Sequence, residues 1–234
     1  MTGPNYAARP LVIFGSAEIA RLARFYFEAD GGRKVAAFTI DDAYIDSDTV
    51  EDLPLVPFSK ATEAYPPDRY DMFVALSYAR LNKLRQEKYE QAKAAGYSLA
   101  TYVCSKTVTW GDLRVGDNCF ILENQTIQPG VTIGDNVMIW SGNHIGHGST
   151  IADHVYVASH VVVSGHCEIG RRCFLGVNAT LKDFTKVGDD CFIAMDASVT
   201  TDLAAGAVAL GSGPQVLAAD DRRARVLKRA YFGD

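Results

Sequence analysis

The chain has little cysteine, no long apolar run and no excess of positive charge. Each of these features argues against a class of protein or binding site. Its five cysteines are an odd number with no CxxC pair, which argues against a disulfide framework and a zinc site of the usual spacing. No stretch of eighteen apolar residues is present, so a transmembrane helix is not expected. The net charge of -5 gives no basic footprint for nucleic acid. Because the start lacks a charged leader with a cleavage site, we expect a cytoplasmic protein with reduced thiols and no membrane partner.

What the second half does contain is an aliphatic residue at every sixth position. Steps of six from Val115 meet fifteen aliphatic residues without a break: Val115, Ile121, Ile127, Ile133, Ile139, Ile145, Ile151, Val157, Val163, Ile169, Leu175, Leu181, Val187, Ile193 and Val199. Because about one residue in four is aliphatic, chance would give such a run on the order of once in a billion trials. Neither the period of an α-helix nor that of a plain strand fits. The pattern predicts a parallel β-helix with these side chains inside.

Three strands of six residues make a coil of eighteen, and related segments recur at that interval. They read VGDNCFI, IGDNVMI, IADHVYV, IGRRCFL and VGDDCFI, beginning at Val115, Ile133, Ile151, Ile169 and Val187. The small second residue suits a tight corner. The cysteines two residues before an aliphatic, Cys119, Cys173 and Cys191, are expected to point inward as small core residues rather than reactive thiols.

One of the three outward-facing columns of this β-helix is apolar. It comprises Phe120, Met138, Tyr156, Phe174 and Phe192, whereas the columns that start at Thr126 and Thr132 are mostly polar. A monomer rarely exposes an apolar stripe of that size. We therefore expect this face to pack against neighbouring subunits.

The first hundred residues alternate between strands and helices, which predicts a small parallel α/β unit. A strand at residues 11–14 runs into a small-residue turn and a helix at 17–28; strands at 34–40 and 72–76 and a helix at 81–95 follow. A helix N-terminus after a tight turn favours phosphate, and an acidic residue after the second strand can bind a ribose hydroxyl. Since the turn has one glycine instead of GxGxxG, a Rossmann-like domain that binds nothing is equally compatible with these residues.

The repeat, of the form [Ile/Val]-Gly-Asp-x-[Cys/Val]-x, resembles the hexapeptide-repeat acyltransferases over residues 101–217. That resemblance implies a left-handed β-helix, a homotrimer, and acetyl-CoA bound in the groove between two helices. A Rossmann-like domain at 1–100 before such a helix resembles the bacterial nucleotide-sugar N-acetyltransferases of lipopolysaccharide and O-antigen biosynthesis, and the related sialic acid O-acetyltransferases. The resemblance implies an enzyme that transfers an acyl group from acetyl-CoA to the amino group of a nucleotide-linked amino sugar. Residues 218–234 are expected to form a C-terminal helix or tail.

By position, the resemblance also implies binding residues. Those for the nucleotide sugar are the phosphate turn Gly15, Ser16 and Ala17, the nucleoside contacts Asp41 and Asp42, and the loop residues Ser77 and Tyr78. The turn reads GSAEIA, which is poorer in glycine than the usual family pattern and lacks its histidine. Those for acyl-CoA are His166, Gly176, Asn178, Ala194, Gly211, Ser212 and Gly213. The basic residues at 222–229 either approach the CoA phosphates or form a solvated capping helix.

All five histidines lie between residues 144 and 166. The resemblance implies that His147 is the general base, with His144 as a second catalytic candidate, whereas His154 and His160 are expected to be structural. No metal site is expected, because no cysteine or carboxylate joins the histidines at ligand spacing. In the family an acidic residue often follows the histidine and orients it, but here Gly148 follows.

A weakly supported base favours transfer to nitrogen, since a neutral amine needs less help in losing its proton than a hydroxyl does. Two alternatives stay open on the sequence: a sugar O-acetyltransferase, and a hexapeptide scaffold without catalytic activity.

Overall fold

The structure is a computed structural model that describes residues 9–211, 213 and 221–232. Its N-terminal part contains β1 (Leu11–Phe14), α1 (Glu18–Ala29), β2 (Val35–Ile40), a 3-10 turn (Asp42–Tyr44), β3 (Thr49–Val50), β4 (Leu53–Pro57), α2 (Phe58–Ala64), β5 (Asp71–Val74) and α3 (Lys83–Ala94). Residues 49–64, where β3, β4 and α2 lie, were not assigned to any element from their sequence. Ser212, expected to contact acyl-CoA, and residues 218–220 and 233–234 of the expected C-terminal helix or tail fall outside the described residues.

These strands form one sheet in the order β3-β4-β2-β1-β5, in which only β3 runs antiparallel. Without β3, the strand order is β4-β2-β1-β5. Numbered along the chain these parallel strands are third, second, first and fourth, which is the order of half a Rossmann fold. The chain leaves β1 toward β2 on one side and later returns to add β5 on the other. Ligands of such sheets bind at this reversal, beside the carboxyl ends of β1 and β5.

From residue 102 onward the chain forms strands of two residues each. They are β6 (Tyr102–Val103), β7 (Arg114–Val115), β8 (Phe120–Ile121), β9 (Thr126–Ile127), β10 (Thr132–Ile133), β11 (Met138–Ile139), β12 (His144–Ile145), β13 (Thr150–Ile151), β14 (Tyr156–Val157), β15 (Val162–Val163), β16 (Glu168–Ile169), β17 (Phe174–Leu175), β18 (Thr180–Leu181), β19 (Lys186–Val187), β20 (Phe192–Ile193), β21 (Ser198–Val199) and β22 (Val208–Ala209). Within β7 to β21, each strand pairs in parallel with the one eighteen residues further on. Three sheets therefore enclose a triangular prism.

The interior of the prism confirms the predicted register. Of the fifteen aliphatic residues, all but Val115 are buried in a single cluster. Cys119, Cys173 and Cys191 are buried in the same cluster, as expected for small core residues. Burial raises the pKa of the Cys119 and Cys173 thiols to about 12, so both stay protonated and unreactive.

The apolar outer column corrects one expectation, because its cover comes from the same chain. Phe120, Met138 and Tyr156 are buried under the N-terminal domain, and the Phe120 ring lies 5.4 Å from that of Phe73 on β5. At the far end of the column Phe192 is 38% exposed. The expectation that the column packs against neighbouring subunits was therefore wrong. The pattern shows that an apolar face is covered, but not which part of the molecule covers it.

We call this face, with β6, β8, β11, β14, β17, β20 and β22, the docking face. It is flanked by two corners: the α3 corner (residues 116–119, 134–137, 152–155 and 170–173) and the α1 corner (122–125, 140–143, 158–161, 176–179 and 194–197). The third corner, which we call the open corner, comprises residues 128–131, 146–149, 164–167 and 182–185. In a triangular prism it lies opposite the docking face.

A buried arginine joins the N-terminal domain to the α3 corner. The Arg85 guanidinium donates hydrogen bonds to the backbone carbonyls of Asn136, His154 and Val155 at 3.0 to 3.3 Å, and to that of Ser77 at 2.9 Å. Complete burial lowers the pKa of Arg85 to about 10, which still leaves it charged at neutral pH. This set of bonds fixes how the α/β sheet lies against the prism.

The C-terminal helix α4 (Arg222–Phe232) carries exposed basic side chains at Arg222, Arg223, Arg225, Lys228 and Arg229. In the described part of the chain, no helix is both long enough and apolar enough to cross a membrane.

Candidate active site

A cavity of about 330 Å³ lies at the carboxyl ends of β1, β2 and β5. Gly15, Ser16, Ala17 and Asp41 line it, so the structure brings together four of the residues expected to bind the nucleotide sugar. Parallel strands carry their carboxyl ends at one edge, which is why residues far apart in sequence meet there.

Gly15 allows the close packing at the floor of this cavity. Its φ of +128° is a conformation that side chains disfavour, and a Cβ there would lie 2.9 Å from the Ala75 carbonyl oxygen. The next element, α1, begins at Glu18, and its N-cap Ala17 supplies no side-chain hydrogen bond. The first turn of α1 is thus left without a side-chain cap, which suits an anion.

Sequence analysis missed Lys88, a cationic side chain of α3 that also lines the cavity. Its Nζ lies 2.6 Å from Asp41 Oδ1 and 5.6 Å from the centre of the Phe14 ring. Tyr44, 71% exposed, adds an aromatic face at the rim. The cavity therefore combines a fixed positive charge, a carboxylate and an aromatic ring, the groups that a phosphate, a hydroxyl and a base would contact.

Three other residues expected here do not line the cavity. Asp42 accepts a hydrogen bond from the backbone N–H of Ser59 at 3.1 Å and another from its hydroxyl, and these bonds lower the pKa of Asp42. It thereby caps the start of α2. The Ser77 carbonyl accepts a bond from Arg85, and the Tyr78 ring packs edge-on against Tyr156 at 5.1 Å. These contacts give Ser77 and Tyr78 roles in docking the two domains.

The open corner carries His147 and His166, both exposed. Their rings meet edge to face with centres 4.8 Å apart, and the His166 ring stacks on Phe184 at 5.1 Å. The Nδ1 atom of His147 lies 3.0 Å from Oε1 of Gln128, one coil earlier. Gln128 is the second residue that sequence analysis missed.

The remaining histidines point elsewhere. His144 projects outward from β12, between Thr126 and Val162 on the neighbouring strands. His154 is buried at the α3 corner, where its Nδ1 lies 2.9 Å from the Asn136 amide nitrogen. Burial lowers the pKa of His154 to about 4. His160 lies at the α1 corner, exposed, with its ring beside Gly142.

The residues expected to contact acyl-CoA divide between two corners of one chain. His166 is at the open corner, whereas Gly176, Asn178 and Ala194 are at the α1 corner, where the Asn178 amide donates to Asp196 at 2.7 Å. Gly211 follows β22 at the end of that corner, and Gly213 is exposed. A single chain therefore does not gather this set into one site.

The cavity and His147 also lie on opposite sides of the prism. The cavity belongs to the domain on the docking face, and the open corner is opposite that face. A molecule held in the cavity is thus separated from His147 of its own chain by the width of the β-helix.

A groove of about 780 Å³ runs along the sheet of β13, β16 and β19, beside the open corner. Its walls include Glu168 and Lys186, whose charged groups are paired at 3.0 Å. Among the side chains that the structure describes, no group of three His, Cys, Asp or Glu residues is placed to hold a metal ion.

Family models match the repeats of this chain. The model for the bacterial transferase hexapeptide (six repeats) matches residues 112–146 and 130–165, and that for the hexapeptide repeat of succinyl-transferase matches residues 168–201. No curated protein matches the sequence significantly.

Several solved structures share the whole architecture. A mutant perosamine N-acetyltransferase from Caulobacter crescentus, in complex with CoA and GDP-perosamine, aligns with a TM-score of 0.78 at 23% identity over 88% of this chain and 97% of that one. The acetyltransferase domain of PglB from Neisseria gonorrhoeae with acetyl coenzyme A has a TM-score of 0.77 at 18% identity, over 88% of this chain and 100% of that one. WeeI from Acinetobacter baumannii gives 0.74 at 17% identity, over 89% and 99%. Residues 112–165 and 168–201 are thus hexapeptide repeats, and the chain has the fold of these acetyltransferases, an α/β domain followed by a left-handed β-helix.

Proposed function

We propose that this protein is an acetyl-CoA-dependent N-acetyltransferase that acts on the amino group of a nucleotide-linked amino sugar. One observation carries the proposal: His147 is exposed at the uncovered corner of the prism, with one ring nitrogen held by Gln128 and the other left for a substrate. Two structural relatives support the donor and the acceptor class, since one was crystallised with CoA and GDP-perosamine and the other with acetyl coenzyme A. In the Caulobacter protein, mutants with a histidine replaced by asparagine or alanine were studied with both ligands.

The proposed reaction is a direct transfer. The sugar amine attacks the thioester carbonyl of acetyl-CoA, and His147 accepts the proton that the amine loses as the C–N bond forms. Backbone N–H groups of the coils stabilise the oxyanion until the C–S bond breaks. The CoA thiolate then takes a proton, and the products are an N-acetyl sugar and CoA.

In the proposed reaction neighbouring chains cooperate, because the two sites of one chain lie on opposite sides of its β-helix. Since the cavity of one chain lies across the β-helix from its own His147, we propose that the nucleotide sugar bound in that cavity reaches the His147 of a neighbouring chain. A homotrimer does this three times by symmetry, because each chain offers one cavity and one open corner. It also brings the open corner of one chain toward the α1 corner of another, which would reunite His166 with Gly176, Asn178 and Ala194 around acetyl-CoA.

In this arrangement residues 1–100 bind the nucleotide sugar and residues 101–217 carry out the transfer. The phosphate groups of the sugar nucleotide would lie at the Gly15 turn near Lys88, and the nucleoside near Asp41. The basic side chains of α4 are available for the CoA phosphates.

The test is to incubate the protein with acetyl-CoA and a panel of UDP-, GDP- and dTDP-linked amino sugars and to analyse the products by mass spectrometry. We expect one sugar to gain an acetyl group in a bond that survives mild base. A base-labile product would be an ester and would identify an O-acetyltransferase. If no sugar reacts and acetyl-CoA leaves the melting temperature unchanged, the protein is a scaffold and the proposal fails.

The role of His147 has its own variant. His147→Ala should lower kcat roughly a hundredfold or more, because the amine then loses its positioned proton acceptor. His154→Asn is the matched control, since it removes a histidine from a different corner of the same coil and should keep kcat at neutral pH. Turnover by His147→Ala close to that of the unmodified protein would show that another group is the base.

A further inference from the structure

The side chain of Gln128 meets two atoms of His147 at once. Its Oε1 lies 2.9 Å from the backbone nitrogen of His147 and 3.0 Å from Nδ1 of the ring. The two ends of a glutamine amide look alike, so its orientation must follow from its partners. A backbone N–H can only donate, which means that the amide atom beside it is the oxygen and not the NH₂ group.

That assignment also fixes the proton on the ring. Because the same oxygen accepts at both contacts, Nδ1 of a neutral His147 must carry a hydrogen and donate it to Gln128. The other nitrogen, Nε2, then has the free lone pair. A neutral histidine in water prefers the opposite arrangement, with its proton on Nε2, so this tautomer is imposed by the surroundings.

The next coil leaves room for the ring in this position. The ring lies above Gly165, where a Cβ would come within 2.6 Å of Cε1 and 2.9 Å of Nε2. Gly165 is buried while His147 is exposed, so the ring rests on the backbone of the following coil with its outer edge toward solvent. The contacts with Gln128 and Gly165 together define one ring orientation.

We propose that Gln128 is a positioning residue for His147, which selects the Nδ1–H tautomer and presents Nε2 as the proton acceptor. The proposal rests on the proposed function, and it supplies the orienting group that Gly148 cannot provide. A neutral amide orients the ring but adds no negative charge to stabilise an imidazolium. Such a base suits an amine, which needs a proton acceptor only late in its attack, better than a hydroxyl.

A purely structural role for Gln128 is the competing explanation, because side chains along this corner commonly accept backbone N–H groups of adjacent coils. Asp112 accepts the N–H of Gly130 at 2.6 Å, and Asp183 accepts that of Gly165 at 2.8 Å. What distinguishes Gln128 is the second bond, to the ring. Asp112→Ala is therefore a matched control: it removes the same kind of coil-to-coil bond at the same corner without altering a contact to His147.

The tautomer can be measured without any assay of turnover. In the ¹⁵N NMR spectrum of the intact protein, protonated and unprotonated ring nitrogens have well-separated shifts, and His147→Gln identifies the signals. In the neutral form of the ring we expect Nδ1 protonated and Nε2 unprotonated, and a shift toward the Nε2–H form in Gln128→Ala. A His147 ring protonated at Nε2 in the unmodified protein would overturn the proposal whatever the enzyme does.

Kinetics then separate positioning from structure. Gln128→Ala should lower kcat about tenfold, the effect of one hydrogen bond, with KM for both substrates within about twofold. Gln128→Glu should restore most of kcat, since a carboxylate accepts the same two bonds, whereas Asp112→Ala should leave kcat unchanged. Equal effects of Gln128→Ala and Asp112→Ala, or none, would reduce Gln128 to a structural role. If no sugar is acetylated at all, the proposed function fails, while the nitrogen shifts still decide the tautomer.

Discussion

His147 and His154 lie seven residues apart on adjacent corners of one coil, and the molecule uses them in opposite ways. His154 is 3% exposed, bonded to Asn136, and has a pKa lowered to about 4 by burial. His147 is exposed, and within the described part of the chain its ring has one hydrogen-bond partner, Gln128, at Nδ1. The repeat supplies similar backbone at both corners. What differs is that α3 covers one corner and the described chain leaves the other open.

The cover over the α3 corner is polar as well as apolar. Burial raises the pKa of Tyr89, and so does the hydrogen bond that its hydroxyl donates to Asp117 at 2.6 Å. Lys93 pairs with the same Asp117, and the side chain of Asn118 bonds both the N–H and the carbonyl of Val74 on β5. A hexapeptide corner thus becomes structural when a second domain satisfies its polar groups, and it can serve chemistry when that does not happen.

The largest effect is expected from Arg85→Met, which should weaken the packing of α3 on the α3 corner. The variant loses the charged hydrogen bonds to the carbonyls of the α3 corner and leaves those of Asn136 and His154 buried without the guanidinium donor, whereas that of Val155 still accepts the N–H of Met138 at 3.0 Å. We expect the free energy of unfolding to fall by more than about 3 kcal/mol, measured by urea denaturation.

Arg80→Met is the control for this loss of stability. Arg80 lies just before α3 and pairs with Glu87 on the surface, so its replacement should cost less than about 1 kcal/mol. If Arg85→Met were as stable as Arg80→Met, the bonds of Arg85 would not hold the domain on the prism.

The coil of the β-helix could be predicted from the sequence, but the packing of the N-terminal domain against it could not. The coil and its core could be predicted from Val115 onward, because every sixth residue had to be aliphatic to fill the prism. The outward column with Phe120 and Tyr156 only revealed that something covers it. Arg85 gave no signal at all, since a lone arginine on a helix is ordinarily exposed and its burial depends on how α3 meets the corner.

Acid should affect the stability of the protein through His154. The pKa of His154 is lowered from 6.5 to about 4 in the folded protein, so between these values the unfolded chain binds the proton more readily. The contribution of His154 to stability is intact above about pH 6.5 and is lost as pH falls toward 4. From the size of the shift, the loss is about 3 kcal/mol.

His154→Asn should abolish this part of the acid sensitivity. Asparagine already occupies the two preceding positions of this column, Asn118 and Asn136, all with φ near +60°. It therefore fits the backbone and can continue the ladder of side-chain bonds. The measurement is the difference in unfolding free energy between the two proteins at pH 7 and pH 4.5. An equal loss in both would mean that carboxyl groups, and not His154, cause the acid sensitivity.

The candidate site was predictable only where strand order dictates position. The turn at Gly15 and the acid at Asp41 could be placed together, because they follow adjacent parallel strands. Lys88 could not, since its direction depends on the packing of α3. The position of Gln128 could have been predicted from the repeat. A coil has eighteen residues, so the residue that precedes His147 by one coil is Pro129, and its neighbour Gln128 lies beside the histidine. The division of the acyl-CoA set between two corners could also have been predicted from the same register.

The smallest effect is expected from adding one methyl group at equivalent corners. In Gly134→Ala, at the α3 corner, the new Cβ would lie 2.9 Å from the backbone nitrogen of Asp153, which cannot move away. We expect a loss of about 1 to 3 kcal/mol in the free energy of unfolding. In Gly165→Ala, at the open corner, the three nearest atoms all belong to the His147 ring, which can swing toward solvent. Stability should change by less than about 1 kcal/mol.

The two alanine variants should therefore have opposite effects: one lowers kcat with little change in stability, and the other lowers stability with little change in kcat. Gly165→Ala pushes the His147 ring away from Gln128, so its kcat should fall about as far as that of Gln128→Ala while its melting temperature barely moves. Gly134→Ala should melt earlier but keep its kcat, because His147 is untouched. Urea denaturation and steady-state kinetics on both proteins measure the four values. If Gly165→Ala kept full turnover, the position of the His147 ring above Gly165 would not matter for the reaction. The open corner would then not differ from the α3 corner in the way that we propose.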